Sequence, residues 1–430
     1  MMVSSRYAVE LLGTTCITGA LLGFGVLAGL GVWTVTVTLG LVTVRLVFLI
    51  GMVTVIGFAL FAVLSGGLLS RGVWADRSTQ ERLASGPAVC AIVPAYRDGN
   101  VLDISVESLL ENAYEPLTVA IVVEPDDEPT RKRAEELAAE YDRVDCLVNG
   151  TPGSKATAIN YAVQQSDAEY FAVVDADERV APEFVPAAAA ALENGADVFQ
   201  GRRIPRPNGA VETIAYCERI IVHSAYALFE MFGFANPKSA SVVFTREAFE
   251  KIGGYRSMLT EDIAFAHECH DANLTVHQDR RCTSTMEAPH TLGDLWGQRK
   301  RWRIGQIQVL HSRLRQELRG GTGFRGVLSL ARAVGSLVGG MLTLVVASHV
   351  LLLLLFEATL TLLVPFLCIL ATIGAVWLRD LTAGRVGRLS WTVVLVPFVY
   401  PALGVLTVKS LLEYYCTWDG EWYQVMKVGT

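Results

Sequence analysis

Apolar and polar positions divide the chain into three blocks. From Leu11 to Ser70 the only formal charge is Arg45, and a bilayer core takes about 20 apolar residues at roughly 1.5 Å of rise each. That length predicts two membrane-spanning helices, near Leu11 to Val32 and Leu46 to Leu69, with Arg45 in the loop between them. Ala333 to Leu378 carries one charge, Glu357, and Leu389 to Val408 carries none, which predicts two further spans and then a fifth, with Glu357 at the turn of the pair. The first apolar block is longer than a secretory h-region and has no small-residue cleavage site after it, so it is read as a retained span.

Between Pro87 and about Arg303 the pattern changes. Val89 to Val93, Leu117 to Val123 and Tyr170 to Val174 are short runs that are apolar at almost every position, each followed by a polar loop. Runs apolar on both faces suit buried parallel strands, and strand signals alternating with helical ones indicate an α/β domain. Ligands of such sheets gather beyond the carboxyl ends of the strands. Pro94, Ala95, Tyr96, Arg97 and Asp98 follow the first run, Glu124, Asp126 and Asp127 the second, and Asp175, Ala176, Asp177 and Glu178 the third.

Composition agrees with a membrane protein. The 430 residues are 52% hydrophobic and the mean hydropathy is +0.38, too apolar for an ordinary soluble chain. A net charge of −7 argues against nucleic acid as a partner, because phosphate binding needs a basic face. The eight cysteines, Cys16 to Cys416, show no Cys-x-x-Cys spacing, so free thiols are expected rather than a disulfide framework or a zinc site. Arg71, Arg77 and Arg82 follow the second span, and Arg379, Arg385 and Arg388 lie between the fourth and fifth. Positive flanks of this kind place both segments, and the domain after the first, on the cytoplasmic side of the cell (plasma) membrane.

Several residues carry chemistry. Asp175 and Asp177 at i, i+2 where a strand ends can turn both carboxylates to one side and share a hard cation, Mg2+ or Mn2+, whose shell a diphosphate would complete; a solvated Asp-rich turn has the same spacing. Lys155, ahead of an amphipathic stretch with Asn160, places a point charge near a helix N-terminus, or is a surface lysine after a Pro-Gly turn. Thr260-Glu261-Asp262 follows the Gly253-Gly254-Tyr255 turn. A carboxylate there can take a proton from an acceptor hydroxyl, and Thr260 also reads as the N-cap that would fix the acid's position. Gln298-Arg299-Lys300-Arg301-Trp302 joins fixed positive charge to a large ring, which suits diphosphate and sugar or a headgroup layer. His267, Cys269, His270 and His277 lie close in sequence but match zinc spacings poorly, so they read as part of a helix downstream of Asp262.

Taken in order, Ile92-Val93-Pro94-Ala95-Tyr96, Lys155 with Asn160, Asp175-Ala176-Asp177, Thr260-Glu261-Asp262 and Gln298-x-x-Arg301-Trp302 resemble the family 2 glycosyltransferases. Within that family the pattern is most similar to the membrane synthases of the cellulose, chitin and hyaluronan type, over Pro87 to Trp302. The resemblance implies an α/β GT-A catalytic domain, a Rossmann-like nucleotide-sugar-binding fold flanked by transmembrane helices. It further implies a donor, a UDP-sugar, bound by Pro94, Ala95, Tyr96, Lys155, Asp175 and an acid that is Glu124 or Asp126. Metal would be held by Asp175 and Asp177. Catalysis would fall to Asp262 with Glu261, and the diphosphate and acceptor sites to Gln298, Arg301 and Trp302.

The implied reaction is a single inverting displacement onto a growing polysaccharide at the membrane. Transfer of one sugar to a lipid-linked acceptor, or a non-catalytic nucleotide-sugar-binding subunit, is the alternative. The implied partners are the donor, the polysaccharide or lipid-linked acceptor and membrane lipids. The expected organisation is a two-span region over 1–73, the catalytic domain over 86–303, an interfacial amphipathic segment over 304–332, about three spans over 333–412 and a tail over 413–430. The second strand ends in Glu124-Pro125-Asp126-Asp127 where the family has an Asp-Asp-Gly type turn. No gating-loop motif of the cellulose synthase kind is evident after Trp302, and the tail, with Trp418, Trp422 and Tyr423, is expected to be too short for a regulatory domain.

Overall fold

The computed structural model describes residues 2–320, 323–357, 360–420, 423, 425 and 427–429, and Trp422 lies outside them. Among the described residues, five helices are long and apolar enough to cross a membrane: α1 (Met2–Gly31), α2 (Leu46–Val73), α11 (Gly323–Glu357), α12 (Val364–Thr382) and α13 (Val396–Cys416). A short hairpin, β1 (Thr36–Leu39) and β2 (Val42–Arg45), joins the first two. Arg45 ends that hairpin as the N-cap of α2, so the lone charge of the first apolar block stands between spans and not inside one. α11 ends at Glu357, in the connection to α12.

The middle of the chain alternates strands and helices: β3 (Ser85–Ala95), α3 (Leu102–Leu110), β4 (Glu115–Val123), α4 (Glu128–Glu140), β5 (Val144–Val148), α5 (Lys155–Gln165), β6 (Tyr170–Val173), β7 (Arg179–Val180), α6 (Phe184–Glu193), β8 (Val198–Pro205), α7 (Ala210–Glu230), β9 (Val242–Thr245), α8 (Arg246–Ile252), α9 (Glu261–Asp271), β10 (Val276–Met286) and α10 (Leu292–Leu318). The eight strands form one sheet in the order β5-β4-β3-β6-β9-β8-β10-β7. β3, β4 and β6 run parallel, as their apolar runs predict, and β5, for which no such run was read, joins them parallel to β4. β9 is antiparallel to both β6 and β8, so the sheet is mixed, not wholly parallel.

The periodicity of β3 shows why its run is apolar throughout. Val89, Ala91 and Val93 enter one buried cluster, with Leu117, Val119 and Ile121 of β4. Cys90 and Ile92 enter the cluster on the opposite face, with Ile159 and Phe244. A strand covered on both faces has no polar side to spend. Because β9 reverses and β8 reverses again, β8 ends at the same edge as β3, β4 and β6, and β10, parallel to β8, ends there too. Arg203 and Glu287 thereby arrive beside the loops after β3, β4 and β6.

A third cluster ties this domain to the spans: Leu69 and Val73 of α2, Tyr216, Cys217 and Ile220 of α7, and Ile373 and Val376 of α12. Beside it, Asp380 of α12 is completely buried and takes Arg202 of β8 in a two-pronged pair, the Tyr216 hydroxyl at 2.9 Å and Arg385 at 3.4 Å. A charge without solvent demands such partners. The helix that carries Gln298 to Trp302 runs unbroken to Leu318, and the next begins at Gly323, ahead of the apolar run at Ala333. All eight cysteines are free thiols.

Candidate active site

The sheet edge gathers carboxylates and cations from distant parts of the chain. Asp175 lies between Lys155, the first residue of α5, and Arg203 at the end of β8, bonded to both. Burial pushes its carboxyl up, but Lys155, Arg203 and Lys427 hold it well below the usual carboxylate range. Lys155 owes its place to the capping box of α5, in which Ser154 accepts from the Thr157 amide. Glu178, fully buried, accepts from the Asp175 amide at 3.2 Å and from Arg203 at 2.9 Å, fixing the turn that carries the two aspartates.

Asp177 is bonded to neither Lys155 nor Arg203, and the cation against it is Lys427. Its carboxylate accepts from the Glu287 amide at 3.1 Å and faces the Lys427 ammonium at 2.9 Å, and that ammonium also lies 3.0 Å from Asp98. The Lys427 charge is raised well above the ordinary lysine value, since Asp177, Asp98 and Asp175 together outweigh its burial. Burial, with Asp177 next to it, pushes the Asp98 carboxyl up against the pull of Lys427. Two buried carboxylates around one cation define a cation position between the loops after β3 and β6. Among the described residues no three His, Cys, Asp or Glu side chains close into a metal-binding group.

At the other end of the edge Glu261 and Asp262 open α9. The Thr260 hydroxyl does not cap this helix as its position suggests; it has no hydrogen-bond partner among the described residues. Thr260 is instead packed against α10 at Gly305, where a Cβ would come within 2.4 Å of its methyl. Asp262 is held by Lys238 at 3.2 Å and by the Ile263 amide at 2.8 Å. Burial alone would raise its carboxyl, but Lys238 and Lys155 bring it below the usual value. Glu261 accepts from Ser239 at 2.7 Å and is raised, by burial first and by Asp262 beside it. The neighbouring pair is thus split into an ionised Asp262 and a more readily protonated Glu261.

Asn160 bridges the sequence motifs. Its side chain accepts from the Tyr255 amide at 2.9 Å and donates to the Tyr255 carbonyl at 2.8 Å. A Cβ on Gly254, at φ +83°, would meet the Asn160 side chain at 2.9 Å, so glycine at this turn lets α5 brace the approach to α9.

The loops after β3 and β4 form the remaining wall. Arg97, at φ 57°, lies over the Tyr96 ring at 5.0 Å, and its amide donates to Asp127, the N-cap of α4. Pro94 and Ala95 pair with Val122 and Val123 at the very end of β3. Glu124 accepts from Asn149 at 2.7 Å and from the Gly153 amide at 3.0 Å, which anchors it beside Lys155's loop. Asp126 is exposed on the turn.

In α10, Gln298 accepts from Arg299, and Trp302 lies between two guanidinium groups, Arg299 at 4.2 Å and Arg219 at 5.2 Å from its ring centre. Arg299 is paired with Glu218 at 2.7 Å. Arg301 is near enough to Glu261 to draw its carboxyl down. His267 bonds Ser329 at 2.6 Å and His270 stacks on Phe234 at 4.4 Å, so these two face packing partners.

Sequence reasoning missed Asp98 as a partner of Asp177, and it missed Arg203, Lys238, Glu287 and Lys427. The tail, for which no site role was expected, reaches this edge. It returns along α10, with the Tyr423 ring against Gly297 and its hydroxyl bonded to Asp294 at 2.8 Å. The Val428 and Gly429 amides then donate to Glu287 at 2.9 and 2.6 Å. Trp418, Tyr423 and a single lysine in so short a segment were the available signal.

Residues 87–305, half of the chain, match the model of the family described as glycosyltransferase like family 2, and the chain belongs to that family. Its fold is the GT-A glycosyltransferase fold. A dolichol-phosphate mannosyltransferase of Pyrococcus furiosus is 30% identical over 139 residues, 32% of this chain and 39% of that protein. A poly-β-1,6-N-acetyl-D-glucosamine synthase of Staphylococcus epidermidis is 26% identical over 229 residues, 51% of this chain and 54% of that one. The chain thus spans about half, or less, of the length of these curated relatives. A mannosyltransferase of Pyrobaculum calidifontis, solved with GDP-Man and Mn2+, superimposes with a TM-score of 0.56 at 16% identity, over 87% of this chain and 99% of that one.

Proposed function

We propose that the protein is an inverting membrane glycosyltransferase that moves a sugar from a nucleotide-sugar to an acceptor presented at the cytoplasmic face of the bilayer. The observation that carries this reading is the pairing of Asp262 with Lys238 on the edge that also holds Asp175 and Asp177. A carboxylate kept ionised at neutral pH can take the acceptor's proton as its oxygen attacks the anomeric carbon. The bond from that carbon to the nucleoside diphosphate breaks, and the diphosphate departs with the electron pair.

The remaining residues take roles that fit their places. Glu124, anchored at the end of β4, is the better placed of the two acids to meet the base, with the Tyr96 ring beside it. Lys155 and Arg203, now neutralised by Asp175, are the cations nearest a departing diphosphate. Mg2+ or Mn2+ would be held by Asp177 with Asp98 or Asp175, since carboxylates already surround a cation there; when bound it supplies charge neutralisation on the diphosphate. The Mn2+ and GDP-Man named with the Pyrobaculum calidifontis structure support both the metal and the donor class. Gln298, Arg301 and Trp302 border the acceptor side. Two acceptors meet this geometry, the end of a polysaccharide, as the name of the Staphylococcus epidermidis relative suggests, and a lipid-linked one, as that of the Pyrococcus furiosus relative suggests.

The test is nucleoside diphosphate release by purified protein in native lipid extract with Mn2+, across UDP-, GDP- and dTDP-sugars. Turnover with one donor, lost in Asp177→Ala and cut about 10²- to 10⁴-fold in Asp262→Asn, is the expected result. Release that survives both substitutions overturns the assignment.

A further inference from the structure

A groove of about 760 Å³ lies beside the C-terminal half of α10, between the loop that leads into α9 and the last turn of α13. Its charged walls are Arg256 of the loop and Arg315 and Arg319 at the end of α10, and no carboxylate is among the described residues that line it. Arg256 is paired with Glu268 and lies 3.4 Å from the Ser312 hydroxyl. Arg315 and Arg319 are exposed and have no ion pair among the described residues. Basic residues in a last turn answer the helix dipole, but the dipole does not account for a third arginine brought from another element. Gln316 adds a side-chain oxygen that is buried without a hydrogen-bond partner among the described residues.

The groove sits where apolar helices meet the catalytic domain. α10 ends at Leu318 and the membrane-crossing α11 begins at Gly323. Tyr414 of α13 bonds His311 at 2.9 Å and stacks on Trp418 at 5.5 Å, and such rings favour the layer between water and lipid. Beside the arginine row at 315 and 319, Leu314 and Leu318 form a second i, i+4 row, and Leu318 and Phe324 are 79% and 78% exposed. A cationic row next to an exposed apolar one suits a helix end lying in a headgroup layer.

We propose that the groove binds the headgroup of an anionic phospholipid of the glycerol phosphodiester kind, as an effector and not as the acceptor. The phosphodiester lies among Arg256, Arg315 and Arg319, since guanidinium groups match phosphoryl oxygens. A glycerol hydroxyl donates to Gln316, and the acyl chains lie over Leu314 and Leu318. The wall itself leads to the catalytic acids. Residues 256–259 run directly into Thr260-Glu261-Asp262, the Leu259 amide donates to Gln308 of the groove at 3.1 Å, and Ser257 bonds at 3.0 Å to Ser154, the cap of α5 ahead of Lys155. An anion that holds Arg256 against α10 therefore steadies the loop that positions Asp262. The lipid site rests on this geometry, and its effect on turnover rests on the transferase reading.

The test uses the full chain in nanodiscs of phosphatidylcholine, alone or with phosphatidylglycerol or phosphatidylmethanol, which has the same charge and no headgroup hydroxyl. Retained lipid is counted by native mass spectrometry, and nucleoside diphosphate release is followed in the same samples. Wild type should retain phosphatidylglycerol over phosphatidylmethanol and turn over faster with it than in phosphatidylcholine alone. The double variant Arg315→Gln with Arg319→Gln should weaken retention about 25-fold, at about fivefold per arginine, and lose the acceleration while matching wild type in phosphatidylcholine. Gln316→Leu should erase the preference between the two anions. Unchanged retention in the double variant overturns the groove, as does an equal loss in Arg71→Gln at the exposed end of α2, which would mark diffuse surface attraction. Displacement by inorganic phosphate would assign the groove to a soluble anion, and sugar appearing on phosphatidylglycerol would make the lipid an acceptor; either overturns the effector. Acceleration that persists in the double variant overturns it too. Selective retention without nucleoside diphosphate release from any donor would instead sink the transferase reading while the lipid site stood.

Discussion

The ammonium of Lys427 stands 2.9 Å from the Asp177 carboxylate, although 250 residues of sequence separate them. Asp98 shares that cation at 3.0 Å, so the tail places a fixed positive charge where a divalent ion would meet the same carboxylates. A bound metal and Lys427 therefore oppose each other through like charge.

Removing that charge should favour the metal. Lys427→Met is expected to raise Mn2+ affinity in the absence of donor about tenfold, the effect of roughly 1.4 kcal/mol of relieved repulsion. Titration followed by manganese electron paramagnetic resonance checks it. Unchanged affinity would mean that the ammonium moves aside at no cost.

Lys238 sets the ionisation of Asp262. Burial raises that carboxyl and the lysine beside it more than compensates, so Lys238→Met should move the acid limb of kcat/KM to higher pH. The slope should stay that of one group. A profile unmoved by the substitution would assign the acid limb to a residue other than Asp262.

Glu268 gives a stability signal separate from catalysis. Burial pushes its carboxyl up to about 7, against the pull of Arg256 and Arg313. The folded protein therefore holds this proton more tightly than the unfolded chain, from about pH 4.5 upward. The favourable term is full below the unfolded value and is lost as pH rises through about 7. Thermal midpoints in detergent should accordingly fall less between pH 5 and pH 8 in Glu268→Gln than in wild type, and parallel curves for the two proteins would refute the assignment.

Asp380 joins the sheet to the membrane helices. With no exposure and with Arg202, Tyr216 and Arg385 around it, its loss leaves a buried guanidinium without a counter-ion. Asp380→Leu should cost roughly 3–5 kcal/mol, read as a lower unfolding midpoint of the whole protein. The double variant with Arg202→Met should recover much of that loss, which a purely steric effect of leucine would not allow.

The order of elements was legible from the chain. Continuous apolar length marks the spans because lipid offers no other partner, and strands covered on two faces show as runs such as Val89 to Val93. The acids at Asp175, Asp177 and Asp262 were legible as well, because strand ends and helix starts are local features. Which cation each would meet was not. Arg203 reaches Asp175 only because β9 reverses the sheet, and that reversal depends on pairing between segments remote in sequence.

Thr260 shows the limit from the other side: its residue type and position predict a cap, yet α10 packs at Gly305 and the hydroxyl is turned to another use of space. Local sequence determined where the chain could be helix, strand, span or acid. Tertiary structure alone decided the charge pairing, since Coulomb energies depend on distance through space, and Lys427, Lys238 and Arg219 acquire their meaning from neighbours that the chain brings from far away.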